Sequence, residues 1–220
     1  MKKILLLAVC LFSGYALYRN GYFSASQTGA FDKNGKPSAL LFVGPECGDH
    51  CERVRVLMKA RGIAFDEIDV TVKDGAPVAN PYGITNYPAV LIGKQRILGD
   101  DMMAIASALA ENFGKQALTH SEQIAMDGHF DERGRAKVVM YGTSWCPYCK
   151  QQRKFFADNN IAFDDIDVET SDVGKLAYAA LEGEGYPLTY VGYRRFSGVK
   201  EGELLAAIEE LRKASPRDTR

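Results

Sequence analysis

The sequence predicts an α/β protein built from two tandem copies of one small fold. Each copy is a four-stranded mixed sheet flanked by helices, and the pair follows an N-terminal signal or anchor segment. Three observations predict it. Ile63-Ala64-Phe65-Asp66-Glu67-Ile68-Asp69-Val70 returns as Ile161-Ala162-Phe163-Asp164-Asp165-Ile166-Asp167-Val168, an internal repeat. Asn86-Tyr87-Pro88 returns as Gly185-Tyr186-Pro187, with Gly93, Arg96 and Gly99 opposite Gly192, Arg195 and Gly198. Each copy also opens a helical pattern with a cysteine pair directly after an apolar strand-like run, and Cys47 precedes Pro88 by the same distance that separates Cys146 from Pro187.

The elements follow in order. Met1-Lys2-Lys3 and the apolar run Ile4 to Phe12 have the basic and hydrophobic regions of a secretory signal, with Gly14-x-Ala16 and Ser24-x-Ser26 as candidate cleavage sites. Ile4 to Tyr18 falls short of the roughly 20 residues of a full span, so residues 1–20 read as a signal peptide or a membrane anchor. Lys2 and Lys3 hold the amino end inside. The expected location is therefore outside the cytoplasm, periplasmic or anchored in the inner membrane, with the membrane touched only through this segment. Residues 21–38 read as a tether. The first copy, 39–114, has strands at Ala39–Val43, Phe65–Val70, Ala89–Ile92 and Gln95–Leu98, and helices at Cys47–Ala60 and Asp100–Phe113. Residues 115–135, polar with two glycines, read as a linker in which His120 and His129 face solvent. The second copy, 136–214, has strands at Lys137–Tyr141, Ala162–Asp167, Leu188–Val191 and Arg194–Ser197. Its helices are expected at Cys146–Asn159, Asp172–Leu181 and Glu201–Lys213, before a tail at 215–220.

Composition narrows the function. A net charge of −1 over 220 residues, with acidic and basic residues interspersed, excludes a nucleic-acid footprint. Five cysteines stand at positions 10, 47, 51, 146 and 149. Two close pairs are not the dispersed pattern of a disulfide scaffold; they indicate redox or metal chemistry.

Val138-Val139-Met140-Tyr141-Gly142-Thr143-Ser144-Trp145-Cys146-Pro147-Tyr148-Cys149 carries the strongest signal. A C-x-x-C pair between a strand and a helix places the first sulfur at the positive end of the helix dipole, which stabilises a thiolate. Cys146 is then the exposed nucleophile, and Cys149, one turn on, the resolving thiol. A zinc half-site is disfavoured because no second C-x-x-C or His pair completes a tetrahedral set. Trp145 is placed to shield and position the site.

At these residues the chain resembles the glutaredoxin family, of thioredoxin-like fold, whose dithiol members carry Cys-Pro-Tyr-Cys. Tyr186-Pro187, followed by Leu188-Thr189-Tyr190-Val191, extends the match. The resemblance covers 39–113 loosely and 137–213 well. It implies cis peptide bonds before Pro187 and Pro88, a Tyr186 backbone that pairs with an incoming peptide or glutathione, and substrate contacts from Trp145, Pro147, Tyr148, Gly198 and Val199. No cofactor is expected to be bound. Expected partners are protein disulfides, glutathione as co-substrate, and a reductase or thiol donor. Thr143-Ser144 replaces the lysine of many glutathione-using members, and Phe196-Ser197-Gly198-Val199-Lys200 replaces their Gly-Gly-x-Asp. An aromatic-Ser-Gly turn is similar to the glutaredoxin-like electron donors of ribonucleotide reductase, which thioredoxin reductase serves. The helix start at Gly198–Val199 is suited to a carboxylate, and in the first copy Asp101 falls in the acidic slot.

The first site differs. Cys47-Gly48-Asp49-His50-Cys51 has one extra residue between the sulfurs, so a disulfide there requires a distorted first turn. Glu46, Asp49 and Glu52 disfavour a thiolate at Cys47, whereas Lys150, Arg153 and Lys154 favour one at Cys146. Three readings of Cys47 and Cys51 stand: a slower second redox site, a Zn or Cu site completed by His50, or a docking copy without catalysis. The whole chain reads as a glutaredoxin-like thiol–disulfide oxidoreductase. The alternative is a non-catalytic protein-docking or metal-handling module using Cys47, His50 and Cys51.

Overall fold

The computed structural model describes residues 29–214. The leader, the start of the tether and the tail lie outside these residues. Among the described residues no helix is long and apolar enough to cross a membrane. The chain divides into two compact units between Ile105 and Ala106.

In the first unit, β1 (Ala39–Val43) runs parallel to β2 (Asp66–Asp69) and antiparallel to β3 (Ala89–Ile92), which pairs with β4 (Gln95–Leu98), giving the order β2-β1-β3-β4. Helix α1 (Gly48–Ala60) links β1 to β2. A short α2 (Gly75–Ala79) leads through a 3-10 turn toward β3, and α3 (Met102–Phe113) follows β4 and continues past the division into the second unit. β1 and β3 are buried along their whole length because both faces are covered. Leu40, Phe42, Ala89 and Leu91 share one face with Ala30, Val78, Ala79 and Ile84.

The second unit adds α4 (His120–Asp127) and then repeats the plan. Its strands are β5 (Val138–Gly142), β6 (Asp164–Asp167), β7 (Leu188–Val191) and β8 (Arg194–Ser197), in the order β6-β5-β7-β8. Helices α5 (Pro147–Asp158), α6 (Asp172–Ala180) and α7 (Glu201–Ala214) complete it. The period-2 alternation of β5 and β7 separates two cores. Val138, Met140 and Val191 pack with Cys146, Cys149 and Phe156 of the α5 side and Leu204 and Ile208 of α7. Val139, Tyr141, Leu188 and Tyr190 pack on the opposite face with Leu118, Met126 and Leu181.

Both edge strands β2 and β6 are acidic and largely exposed, which blunts an edge that would otherwise pair with another chain. Arg55 clasps Glu67 at 2.6 Å and Arg153 clasps Asp165 at 2.7 Å, so the cysteine-bearing helix is pinned to the acidic edge in the same way in each copy.

Two expectations need correction. The segment 115–135 is not a linker: it contains α4, which opens with a capping box between Thr119 and Glu122 and buries Ala125 and Met126. The last part of the expected tether also belongs to the fold, because Ala30 is buried and its N–H donates to the Gly93 carbonyl at 2.7 Å. In each copy a tight turn precedes the first strand, Phe31-Asp32-Lys33-Asn34-Gly35-Lys36 in one and Phe130-Asp131-Glu132-Arg133-Gly134-Arg135 in the other. Asp32 Oδ1 accepts from the N–H groups of Asn34 (2.8 Å) and Lys36 (2.9 Å), and Asp131 Oδ1 from those of Arg133 (2.9 Å) and Arg135 (2.8 Å). Gly35 and Gly134 take φ of 76° and 72°, where a side chain would be strained.

His129 is also corrected. It is fully buried, not solvent-facing. Its Nδ1 lies 3.2 Å from the Gly192 carbonyl, which only accepts, so Nδ1 carries the proton. Nε2 then accepts from the Tyr141 hydroxyl at 2.9 Å. His120 is exposed, as expected.

Candidate functional site

Cys146 is the N-cap of α5, with extended backbone (φ −64°, ψ 120°) and Pro147 beginning the helix. Its sulfur takes the capping role that Ser or Asp usually fills: the N–H of Cys149 donates to Cys146 Sγ at 3.3 Å. On the other side Cys146 Sγ lies 3.8 Å from the Tyr186 carbonyl, and the Tyr186–Pro187 bond is cis. The structure thus brings Cys146, Cys149 and the cis-proline expected from the sequence together at the start of α5. Tyr87–Pro88 is cis as well.

The expected exposure of Cys146 is corrected. Only 4% of its surface is open, against 0% for Cys149, because the N-cap sits down between the helix start and the Tyr186 segment. Both are free thiols. The difference still assigns the outer role to Cys146. Burial pushes the Cys149 thiol up to about 11, with its hydrogen bond to Cys146 second, while the Thr143 backbone and Arg153 act the other way. Cys149 thus holds its proton at neutral pH. Iodoacetamide at pH 7.5 is expected to place one label on the reduced second site, at Cys146; peptide mapping that finds Cys149 labelled first contradicts the assignment.

Trp145 and Tyr148 stand out at 60% and 62% exposure. The Trp145 indole N–H donates to Glu169 at 3.0 Å, and its ring meets the Tyr186 ring edge-on at 6.3 Å. Tyr186 packs in turn on Tyr178 at 5.1 Å, whose hydroxyl donates to the Gly185 carbonyl at 3.1 Å. The aromatic wall is thereby held from two sides, while Pro147 is exposed and Pro187 buried.

Residues outside the motif also shape the site. A Cβ on Gly142 would lie 2.8 Å from Cys149 Sγ, so only glycine lets the resolving sulfur sit against β5. Gly142→Ala is expected to cost about 1–3 kcal/mol through overpacking and to slow resolution of a mixed disulfide. Denaturant unfolding and rapid-quench alkylation would check the two effects. Arg153 clasps Asp165 and reaches the Thr143 carbonyl at 3.2 Å, fixing the loop before Trp145. Its charge is therefore partnered, as is that of Lys154 by Asp158 at 2.6 Å. At the expected carboxylate site, Gly198–Val199, the Gly198 N–H donates to the Pro187 carbonyl at 2.8 Å, and Glu201 and Glu203 occupy the first turn of α7. The sequence signal missed here was Gly142 itself, a glycine ending a buried strand.

In the first copy Cys47 and Cys51 are joined by a disulfide with Cα atoms 5.4 Å apart. The distortion expected from the extra residue falls on the entry to α1, where Glu46 (φ 60°) and Gly48 (φ 34°) are left-handed. While bonded to each other, Cys47 and Cys51 are not the thiolate ligands that the metal reading with His50 requires. Among the described residues no group of three or more His, Cys, Asp and Glu side chains is arranged to hold a metal ion. His50 Nδ1 lies 3.1 Å from Asp100 Oδ2, on which Arg53 also converges. The Asp101 carboxylate accepts from the Ala104 N–H at 2.9 Å and caps α3.

Fold and site together define a thioredoxin-like protein with a dithiol at the start of a helix, opposite a cis-proline. Residues 138–192, from β5 to the end of β7, match the sequence model of the glutaredoxin family. Solved structures to which the chain is similar include a glutaredoxin of Archaeoglobus fulgidus, 27% identical over 34% of this chain and 89% of that one, with a TM-score of 0.31. Methanoredoxin of Methanosarcina acetivorans is 26% identical over 33% and 84%, TM-score 0.30. Buckwheat glutaredoxin, solved as its glutathione complex, is 17% identical over 44% and 99%, TM-score 0.35. No curated protein matches the chain.

Proposed function

We propose that the protein is a glutaredoxin-like thiol–disulfide oxidoreductase that acts through Cys146 and Cys149 on protein or glutathione mixed disulfides. The observation that carries this is the Cys149 N–H aimed at Cys146 Sγ beside cis-Pro187. That donor and the start of α5 favour negative charge on the sulfur as it attacks. The Cys146 thiolate attacks one sulfur of the substrate; a Cys146–S–S–R bond forms, the old bond breaks, and the first thiolate leaves and takes a proton. Cys149 then gives up its proton and attacks Cys146 Sγ, releasing the second thiol and closing the Cys146–Cys149 disulfide. Two electrons pass from the pair to the substrate, and a reductase or thiol donor restores the dithiol.

Trp145, Tyr148 and Tyr186 supply an apolar rim that suits a peptide or the tripeptide thiol. The leader, Lys2-Lys3 with Ile4 to Phe12, supports a location outside the cytoplasm. Turnover of a glutathionylated peptide and of a protein disulfide, assayed with a thiol donor on the full chain, tests the reading. No turnover of either substrate overturns it.

A further inference from the structure

The first copy keeps its cysteines at the joint of β1 and α1, with a cis-proline at the same distance along the chain as in the second. Stapling explains the Cys47–Cys51 bond poorly. It joins positions that the helix already holds one turn apart, since the Cys51 N–H donates to the Cys47 carbonyl at 3.1 Å. So short a loop constrains the unfolded chain less than a long one does, and the first unit has its own apolar core around Leu40, Phe42 and Leu91. The bond is flanked instead by Glu46 and Gly48 in left-handed backbone, and Glu46 is not a glycine, a sparsely populated arrangement that clusters at working sites.

Charge distinguishes the two sites. Glu46 stands where the second copy has Trp145, and Glu52 where it has Lys150; Asp49 lies in the first turn of α1. All three are exposed. The nearby cations are engaged: Arg53 and His50 converge on Asp100, and Arg55 is shared between Glu67 and Glu52. Arg55 partly offsets Glu52, so Glu46 and Asp49 chiefly make the approach to Cys47 acidic.

We propose that Cys47–Cys51 is a second redox couple, which exchanges with disulfides carrying positive charge beside their sulfurs. In the reduced couple the Cys47 thiolate attacks such a disulfide, the substrate S–S bond breaks, and one thiolate leaves and is protonated. Cys51 then loses its proton, attacks Cys47 Sγ and releases the second thiol, so two electrons leave the couple. Two equivalents of thiol reverse the sequence and leave as a disulfide. Cys47 is the outer sulfur, at 5% exposure against 2% for Cys51.

The test uses the full chain carrying Cys146→Ser and Cys149→Ser, so its outcome does not depend on the second site. Dithiothreitol is expected to free two thiols at positions 47 and 51 with the far-UV dichroism unchanged. Reoxidation by cystamine, a dication, is expected to be about tenfold faster than by the anionic glutathione disulfide at low ionic strength, each rate normalised to that with a free peptide thiol. The ratio should fall toward one in 1 M salt, roughly where screening is complete, and in a Glu46→Gln, Asp49→Asn, Glu52→Gln variant. Peptide-resolved alkylation of the unsubstituted chain reads the same couple should the serine variant misfold. A disulfide that yields to dithiothreitol only when the fold is lost overturns the couple, and equal or reversed rates overturn the substrate class.

Discussion

Cys146→Ser is expected to lower disulfide turnover by about three orders of magnitude or more, because a hydroxyl in that place has no comparable nucleophilicity and no step of the exchange can begin. Cys149→Ser is expected to behave differently. Attack still occurs at Cys146, but the internal thiol that would release it is gone, so a Cys146–substrate disulfide accumulates and is cleared only by external thiol. Mass spectrometry of quenched reactions should find that adduct in Cys149→Ser and none at position 146 in Cys146→Ser. Turnover above a tenth of the original rate in Cys146→Ser would move the chemistry elsewhere and favour a docking role for the second domain.

The second large effect concerns His129. Burial pushes its ring down to about 4, from an ordinary value of 6.5; the nearby Lys137 charge acts the same way, against the Gly192 carbonyl and Asp164. The folded value lies below the unfolded one, so the contribution is whole above about pH 6.5 and drains away as pH falls toward and through 4. In that window the unfolded chain binds a proton that the folded ring refuses. By pH 4.5 the second unit should have lost about 2.5 kcal/mol from this group alone. Trp145 is the single tryptophan and lies in the second unit, so its fluorescence follows that unit during urea unfolding at each pH. A His129→Gln variant should be less stable at pH 7 and show a flatter pH dependence. An equal slope in both proteins would refute the assignment.

Much of this architecture is legible in the chain. Local chemistry determined the strand positions: Ala89–Ile92, Gln95–Leu98, Leu188–Val191 and Arg194–Ser197 fall where the Tyr-Pro steps and the glycines at 93, 99, 192 and 198 bound them. The duplicated Tyr-Pro step located both cis bonds. A further repeat, Phe-Asp-x-x-Gly followed by a basic residue at 31–36 and 130–135, is the turn that opens each copy. By sequence alone it is not distinguishable from a tether, because a polar, glycine-containing stretch looks the same in both.

By itself, then, the sequence determined the doubled fold, the dithiol, its cis-proline and the order of the two sulfurs, since each depends on spacing along a few residues. Only the tertiary structure decided how closely Cys146 is enclosed, that His129 is buried and neutral, that Gly142 makes room for Cys149, and that Cys47 and Cys51 bond to each other. Those outcomes depend on what packs against a residue from distant parts of the chain. Burial, and the electrostatic cost that accompanies it, is a property of the assembled layers and is written in no single segment.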